Sequence, residues 1–223
     1  MKKILISTSI LSANFAYIGE EVKNVIKAGS DIIHFDVMDN FYVKNLTFGP
    51  VIYEAIRNYG INAPIEIHLM TRLSKRLILE FIEKGADCII FHPEICKDTN
   101  QILKLIKTNG CKSGIAFNPN VSLSFLESSK KYLDIALIMS VNPGLGGQKF
   151  IESSLKKISE ARKIIKKTGE KILLSVDGGI NSRNVAKIVS SGPDILVIGS
   201  AIFNSSNYKT EIKKIRNYFN IKY

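Results

Sequence analysis

Apolar and polar positions follow two rhythms along this chain. Eight short, mostly apolar runs read as strands: ILIST (4–8), DIIHFDV (31–37), PIEIHLM (64–70), DCIIFH (87–92), KSGIAFN (112–118), IALIMSV (135–141), KILLSVD (171–177) and DILVIGS (194–200). Between them lie segments with apolar residues three and four apart, the helical period. These are YIGEEVKNVIKAG (17–29), LSKRLILEFIEKGA (73–86), NQILKLIKTNG (100–110), SSLKKISEARKIIKKTG (153–169) and SRNVAKIVSSG (182–192). Gly29, Gly85, Gly110, Gly169 and Gly192 close them, as glycine commonly ends helices. Nearly continuous apolar strands alternating with helices imply a parallel sheet covered on both faces. Eight such units in 223 residues suit an α/β fold of the (β/α)8 TIM barrel type better than a doubly wound open sheet. No break in composition marks a linker, so one domain over 1–223 is expected.

In such a barrel the chemistry gathers at the C-terminal ends of the strands. The chain's three histidines, His34, His68 and His92, fall near the ends of the second, third and fourth strands. In HFDVMDN (34–40), His34, Asp36 and Met38 share one strand face. A buried Asp needs a partner or a metal. Asp177 ends the seventh strand. Two imidazoles (His34, His68) and two carboxylates (Asp36, Asp177) at one mouth suit one divalent ion such as Zn, Fe, Mn or Co. His92 has no evident carboxylate partner and is placed either behind the ligands or along the substrate wall.

Glycine-rich loops follow the last three strands: NPGLGGQKF, DGGI and GSAIF. Glycine lets backbone N–H groups approach an anion, and loops after strands seven and eight often hold phosphate. Gly178, Gly179, Gly199 and Ser200 are placed for that, and the PGLGGQ loop suits a lid. Met38, Met70 and Met139 suit an apolar floor beside the reacting carbons.

Bulk properties narrow the classes further. No apolar run approaches the roughly 20 residues of a membrane helix, and MKKILISTSI reads as a first strand rather than a cleaved leader. Three cysteines without a CxxC pair suggest neither a disulfide framework nor a zinc knuckle, which fits a reducing cytoplasm. The net charge of +11 is spread over helix faces such as ARKIIKK and KKIRNYFNIKY, without interleaved aromatics. No nucleic-acid partner is expected.

SILSANF, HFDVMDN, IEIHLM, FHPE, VNPGLGGQKF, VDGGI and GSAIF stand in order along the chain, and together they resemble the ribulose-phosphate 3-epimerase family. The resemblance implies a ribulose-phosphate-binding barrel that interconverts ribulose 5-phosphate and xylulose 5-phosphate. It implies one divalent metal and no organic cofactor, held by His34, Asp36, His68 and Asp177. Asp36 and Asp177 would form the acid/base pair. Ser9 and His68 would contact the sugar together with Asp177. Gly144, Leu145, Gly146 and Gly147 would form the lid, with the phosphate at Gly178, Gly179, Gly199 and Ser200. A homodimer or hexamer is implied as well. The chemistry is consistent: inverting a carbon beside a ketone requires proton removal from one face and return to the other. The enediolate between carries charge on two oxygens, which a divalent ion stabilises as a Lewis acid.

Four positions depart from the family's usual pattern: Thr8 and Lys44 replace prolines, Asn120 a smaller residue and Leu145 a phenylalanine. None removes an expected ligand or acid/base group. The competing readings are a 3-epimerase for a related ketose such as allulose 6-phosphate, a metal-free phosphate-binding barrel, and a basic nucleic-acid-binding scaffold.

Overall fold

The computed structural model describes residues 4–220. Eight strands pair in parallel: β1 (Leu5–Ser9), β2 (Ile32–Met38), β3 (Ile65–Met70), β4 (Cys88–Phe91), β5 (Lys112–Phe117), β6 (Ile135–Met139), β7 (Leu173–Asp177) and β8 (Ile195–Ile198). They follow chain order, and β8 closes on β1. Around them lie α1 (Ile18–Ala28), α2 (Pro50–Asn58), α3 (Lys75–Glu83), α4 (Thr99–Thr108), α5 (Ser124–Ser129), α6 (Ser154–Thr168), α7 (Val185–Ser190), α8 (Ser200–Phe203) and α9 (Tyr208–Arg216). This is the expected (β/α)8 barrel.

The elements differ from expectation at their edges. β6 stops at Met139 and β8 at Ile198, which leaves Val141 in a loop and Ser200 at the start of α8. The segment between β2 and β3 contains α2, which begins with Pro50 in its first turn and buries Tyr53 and Ile56. The basic C-terminal stretch is helical only to Arg216, with a 3₁₀ turn at Asn217–Asn220. Residues 1–3 of the expected first strand's approach and 221–223 of the basic stretch lie outside the described residues.

Alternation along each strand divides the buried residues into two sets. Outward side chains pack under the helices, as where Phe35, Tyr53 and Phe81 meet edge to face with centroids 5.7 to 6.1 Å apart. The inward set is lopsided. β4 to β8 line the barrel with Ile90, Ala116, Leu137 and Val197. β1 to β4 contribute Ser7, His34, Glu66, His68 and, just past β4, His92, all buried.

The N-terminal rim is tied by aspartates that precede the even strands. Asp31 accepts the Ile6 N–H at 2.9 Å, Asp87 that of Ile65 at 2.8 Å, Asp134 that of Ser113 at 3.0 Å and Asp194 that of Leu174 at 2.8 Å. Each carboxylate also meets a cation: Arg216, Arg57, Lys107 and Arg162 in turn. These bonds fix each odd strand against the next, far from the opposite rim where the loops converge.

Candidate active site

The strand register brings His34, Asp36 and His68 together. Asp36 stands directly across from His68 in the β2–β3 pair, and His34 lies two residues back on the same face. His34 Nε2 lies 3.2 Å from both Asp36 Oδ1 and His68 Nδ1, and His68 Nδ1 lies 2.9 Å from Asp36 Oδ1. Asp177 arrives from β7, with Oδ2 4.0 Å from His34 Nε2. One donor atom from each of the four residues lies within 4.8 Å of the other three. Ligands about 2.1 Å from a shared cation sit at most about 4.2 Å apart. A small contraction therefore gives a coordination sphere, and two imidazoles with two carboxylates suit a divalent transition metal.

The electrostatics separate the two carboxylates. Burial alone would raise Asp36, but the His34 and His68 imidazoles hold its carboxyl far below the usual range. Burial pushes Asp177 up to about 7; His34 draws it down, while the Asp36 and Glu66 carboxylates push it up. Burial also opposes charge on His34, yet Asp36 and Glu66 hold that ring well above its ordinary value. Burial keeps His68 below its ordinary value despite Asp36, and holds His92 well below, helped by His68.

Glu66 is the participant that sequence reading missed. It is 2% exposed, and its Oε1 accepts from His34 Nδ1 at 2.7 Å and from the Ser7 hydroxyl at 2.6 Å. Oε2 has no hydrogen-bond partner among the described residues. A buried carboxylate on the far nitrogen fixes the ring's tautomer and aims Nε2 at the cluster. A signal was present: Glu66 and His68 are spaced as His34 and Asp36 are, two apart on one strand face.

Above this cluster opens a cavity. Ser9, Asp36 and Asp177 reach it, and the Ser9 hydroxyl donates to Asp36 Oδ2 at 2.7 Å. Met38, Met70 and Met139 also line it. The first two pack with Val43, and Met139 joins the apolar barrel interior. His34, His68 and His92 are fully buried and are not part of its wall. The sugar contact expected of His68 and the substrate-wall alternative for His92 thus both lack direct exposure to the cavity.

The glycine loops form the remaining walls. Gly144, Leu145, Gly146 and Gly147 arch over one side, with Leu145 65% exposed. Asn45 donates to the Gly144 carbonyl at 2.9 Å, and Gln148 to the carbonyls of Asn142 at 2.6 Å and Leu145 at 2.8 Å. Gly178, Gly179, Gly199 and Ser200 line the cavity as well, with Gly179 against Gln148 and Phe150 at the end of that loop. Gly178 has φ +117°, and a Cβ there would lie 2.4 Å from Val141; at Gly179, φ is +66° and a Cβ would lie 2.4 Å from the Phe150 nitrogen. Only glycine fits at these two positions, so backbone rather than side chain faces the cavity.

Known proteins give the same picture. The family model described as "Ribulose-phosphate 3 epimerase family" matches residues 5–203. Ribulose-phosphate 3-epimerase of Serratia marcescens is 50% identical over 209 residues, covering 94% of this chain and 100% of that protein. Its counterpart in Buchnera aphidicola subsp. Acyrthosiphon pisum (strain APS) is 52% identical, covering 97% and 95%. That of Escherichia coli (strain K12) is 48% identical, covering 97% and 96%. Among solved structures, 3-hexulose-6-phosphate synthase from Salmonella typhimurium superposes with a TM-score of 0.71 at 18% identity, covering 97% and 98%, which is a likeness of fold. With the matched motifs and the four-residue cluster in place, the chain belongs to the ribulose-phosphate 3-epimerase family.

Proposed function

We propose that this protein is the 3-epimerase that interconverts D-ribulose 5-phosphate and D-xylulose 5-phosphate. The observation that carries this reading is the placement of Asp36 and Asp177. They come from β2 and β7, with β1 and β8 between them around the closed barrel, and both line one cavity and reach the same metal-donor cluster. A base and an acid on opposite faces of one carbon are what inversion requires.

The proposal assigns each group a task. His34, Asp36, His68 and Asp177 hold one divalent metal. Bound there, the metal supplies Lewis-acid stabilisation of negative charge on neighbouring substrate oxygens. Asp36 and Asp177 divide the proton transfer: one takes the C3 proton from one face and the other delivers a proton to the opposite face. The roles reverse in the opposite direction, and the two carboxyls titrate as a coupled pair. Ser9 holds Asp36 in place by donating to its second oxygen. The methionines offer the reacting carbons an apolar surface, and Gly178, Gly179, Gly199 and Ser200 hold the phosphate. The lid loop excludes water during proton transfer. One barrel domain, a homodimer or hexamer, and the cytoplasm complete the proposal. Among the described residues, no helix is long and apolar enough to cross a membrane.

The test is to incubate the metal-loaded protein with ribulose 5-phosphate in D₂O and follow the sugar by proton NMR. Loss of the C3 proton signal as xylulose 5-phosphate forms is the expected result. Absence of exchange with metal bound, together with exchange of a six-carbon ketose phosphate such as allulose 6-phosphate, would reassign the substrate.

A further inference from the structure

We infer that His92 is a positioning residue for His68: its Nε2 accepts a hydrogen bond from His68 Nε2–H when His68 Nδ1 serves a cation, and its own Nδ1–H is then presented to Glu94. This rests on the metal-binding reading of the site given above.

The geometry starts with two buried rings. His68 Nε2 and His92 Nε2 are 2.9 Å apart, with ring centroids 5.1 Å apart and planes tilted by 33°. Two neutral imidazoles in such contact share one proton, so one nitrogen donates and the other accepts. On its other side His68 Nδ1 lies 2.9 Å from Asp36 Oδ1. An ionised carboxylate only accepts, which assigns the His68 proton to Nδ1. His68 Nε2 is then bare, so His92 Nε2 donates to it.

That assignment accounts for an otherwise odd feature. His92 Nδ1 is buried without a hydrogen-bond partner, 3.7 Å from Glu94 Oε1. A bare nitrogen facing a carboxylate oxygen sets acceptor against acceptor, and the pair stays beyond bonding distance. Glu94 Oε1 is instead bonded by the Tyr42 hydroxyl at 2.8 Å and Asn118 Nδ2 at 2.6 Å, and the Tyr42 ring packs 4.9 Å from that of His92. The carboxylate is held in place ahead of need.

A cation at His68 Nδ1 reverses the order. Nδ1 must then offer its lone pair, so the His68 proton must sit on Nε2. The proton between the rings passes from His92 Nε2 to His68 Nε2. The proton lost from His68 Nδ1 is balanced by one gained at His92 Nδ1, and the two rings hold two protons before and after. His92 Nδ1–H then faces the waiting Glu94 oxygen. Orienting partners of this kind typically change metal affinity about 10- to 100-fold.

With three histidines in the chain, the protonation pattern can be read by long-range proton–nitrogen NMR on the ¹⁵N-histidine-labelled full-length protein. Metal-free protein is expected to show Nδ1–H at His68 and Nε2–H at His92. After one equivalent of Zn²⁺, Nε2–H at His68 and Nδ1–H at His92 are expected. A His92 that keeps Nε2–H after loading overturns the inference, as does failure to bind Zn²⁺ at all. Chelator competition on variants gives a second reading. His92→Leu is expected to weaken Zn²⁺ binding about 10- to 100-fold, and His92→Gln, whose amide oxygen can accept from His68, to recover most of it. Wild-type affinity in the Leu variant refutes the inference; should that variant not fold, the wild-type spectra decide alone. Neither readout involves a sugar, so a protein that swaps tautomers but epimerises nothing keeps this inference and loses the proposed function.

Discussion

Replacing Asp177 by Asn separates its chemical role from its effect on the fold. The amide has the shape of the carboxyl but can neither take nor deliver the proton. Loss of one positioned acid/base group costs about 10²–10⁴ in rate, or about 3–5 kcal/mol of barrier. Stability moves the other way. The carboxyl has an ordinary value of 3.8 and is pushed up to about 7 in the folded protein, where its side chain is 16% exposed. The folded state therefore binds an extra proton between these values, and the stability of the metal-free protein falls as pH rises from about 4 to about 7. Above that range the folded protein carries a cost of no more than about 4 kcal/mol for the charge. The Asn variant sheds this cost. Metal-free Asp177→Asn is thus expected to unfold at higher denaturant than wild type at pH 8 and at the same denaturant at pH 4. Turnover is measured at saturating metal, with metal content determined, because Asp177 is also an expected ligand. The exchange pattern is more telling than the rate: Asp36 still serves its own face, so the C3 proton of one epimer washes out into D₂O while the other epimer fails to form. Near-normal epimerisation in the variant would refute the two-base reasoning.

Three further outcomes follow from the geometry. Glu66→Gln keeps an acceptor for His34 Nδ1–H but loses the charge, and is expected to raise the metal dissociation constant about 10-fold; an unchanged constant in chelator competition contradicts the role given to Glu66. Metal binding is expected to weaken as pH falls through about 7, because Asp177 must shed a proton that burial helps it keep; calorimetry in buffers of different ionisation enthalpy measures the protons released, and equal affinity at pH 6 and 8 counts against it. Gly179→Ala places a side chain at φ +66° and a Cβ 2.4 Å from the Phe150 nitrogen. The left-handed backbone alone costs about 1–2 kcal/mol, so a lower melting temperature and a higher KM are expected, and a wild-type KM would show that this loop does not hold substrate.

The fold was legible because each strand is an apolar run with a turn signal behind it, and the cluster because strand ends are where a barrel places its chemistry. His34 and Asp36 announce themselves as polar residues two apart in an apolar run. Glu66 and His68 repeat that pattern, yet Glu66 sits mid-strand, below the expected mouth, and only the β2–β3 register reveals that it meets His34. The placement of His92 beneath the cavity was equally hidden, since it depends on the reach of β4 relative to β3. α2 escaped because its neighbours, the loops after β2, carry no helical period, although Pro50, Tyr53 and Ile56 mark it locally. Leu145 sits where its exposure leaves no packing constraint to read.

The aspartates of the lower rim carry a further consequence. Asp31, Asp87, Asp134 and Asp194 recur before every second strand, each binding the backbone of the strand before and a basic side chain. At that rim the protein is a pseudo-fourfold ring of two-strand quarters. At the other rim the symmetry is gone: three quarters of the donor set come from two neighbouring strands and the last from across the ring. Cohesion is thus distributed evenly, and reactivity is not. Loops at the reactive rim are therefore free to diverge, one quarter at a time, while the ring beneath them keeps its closure.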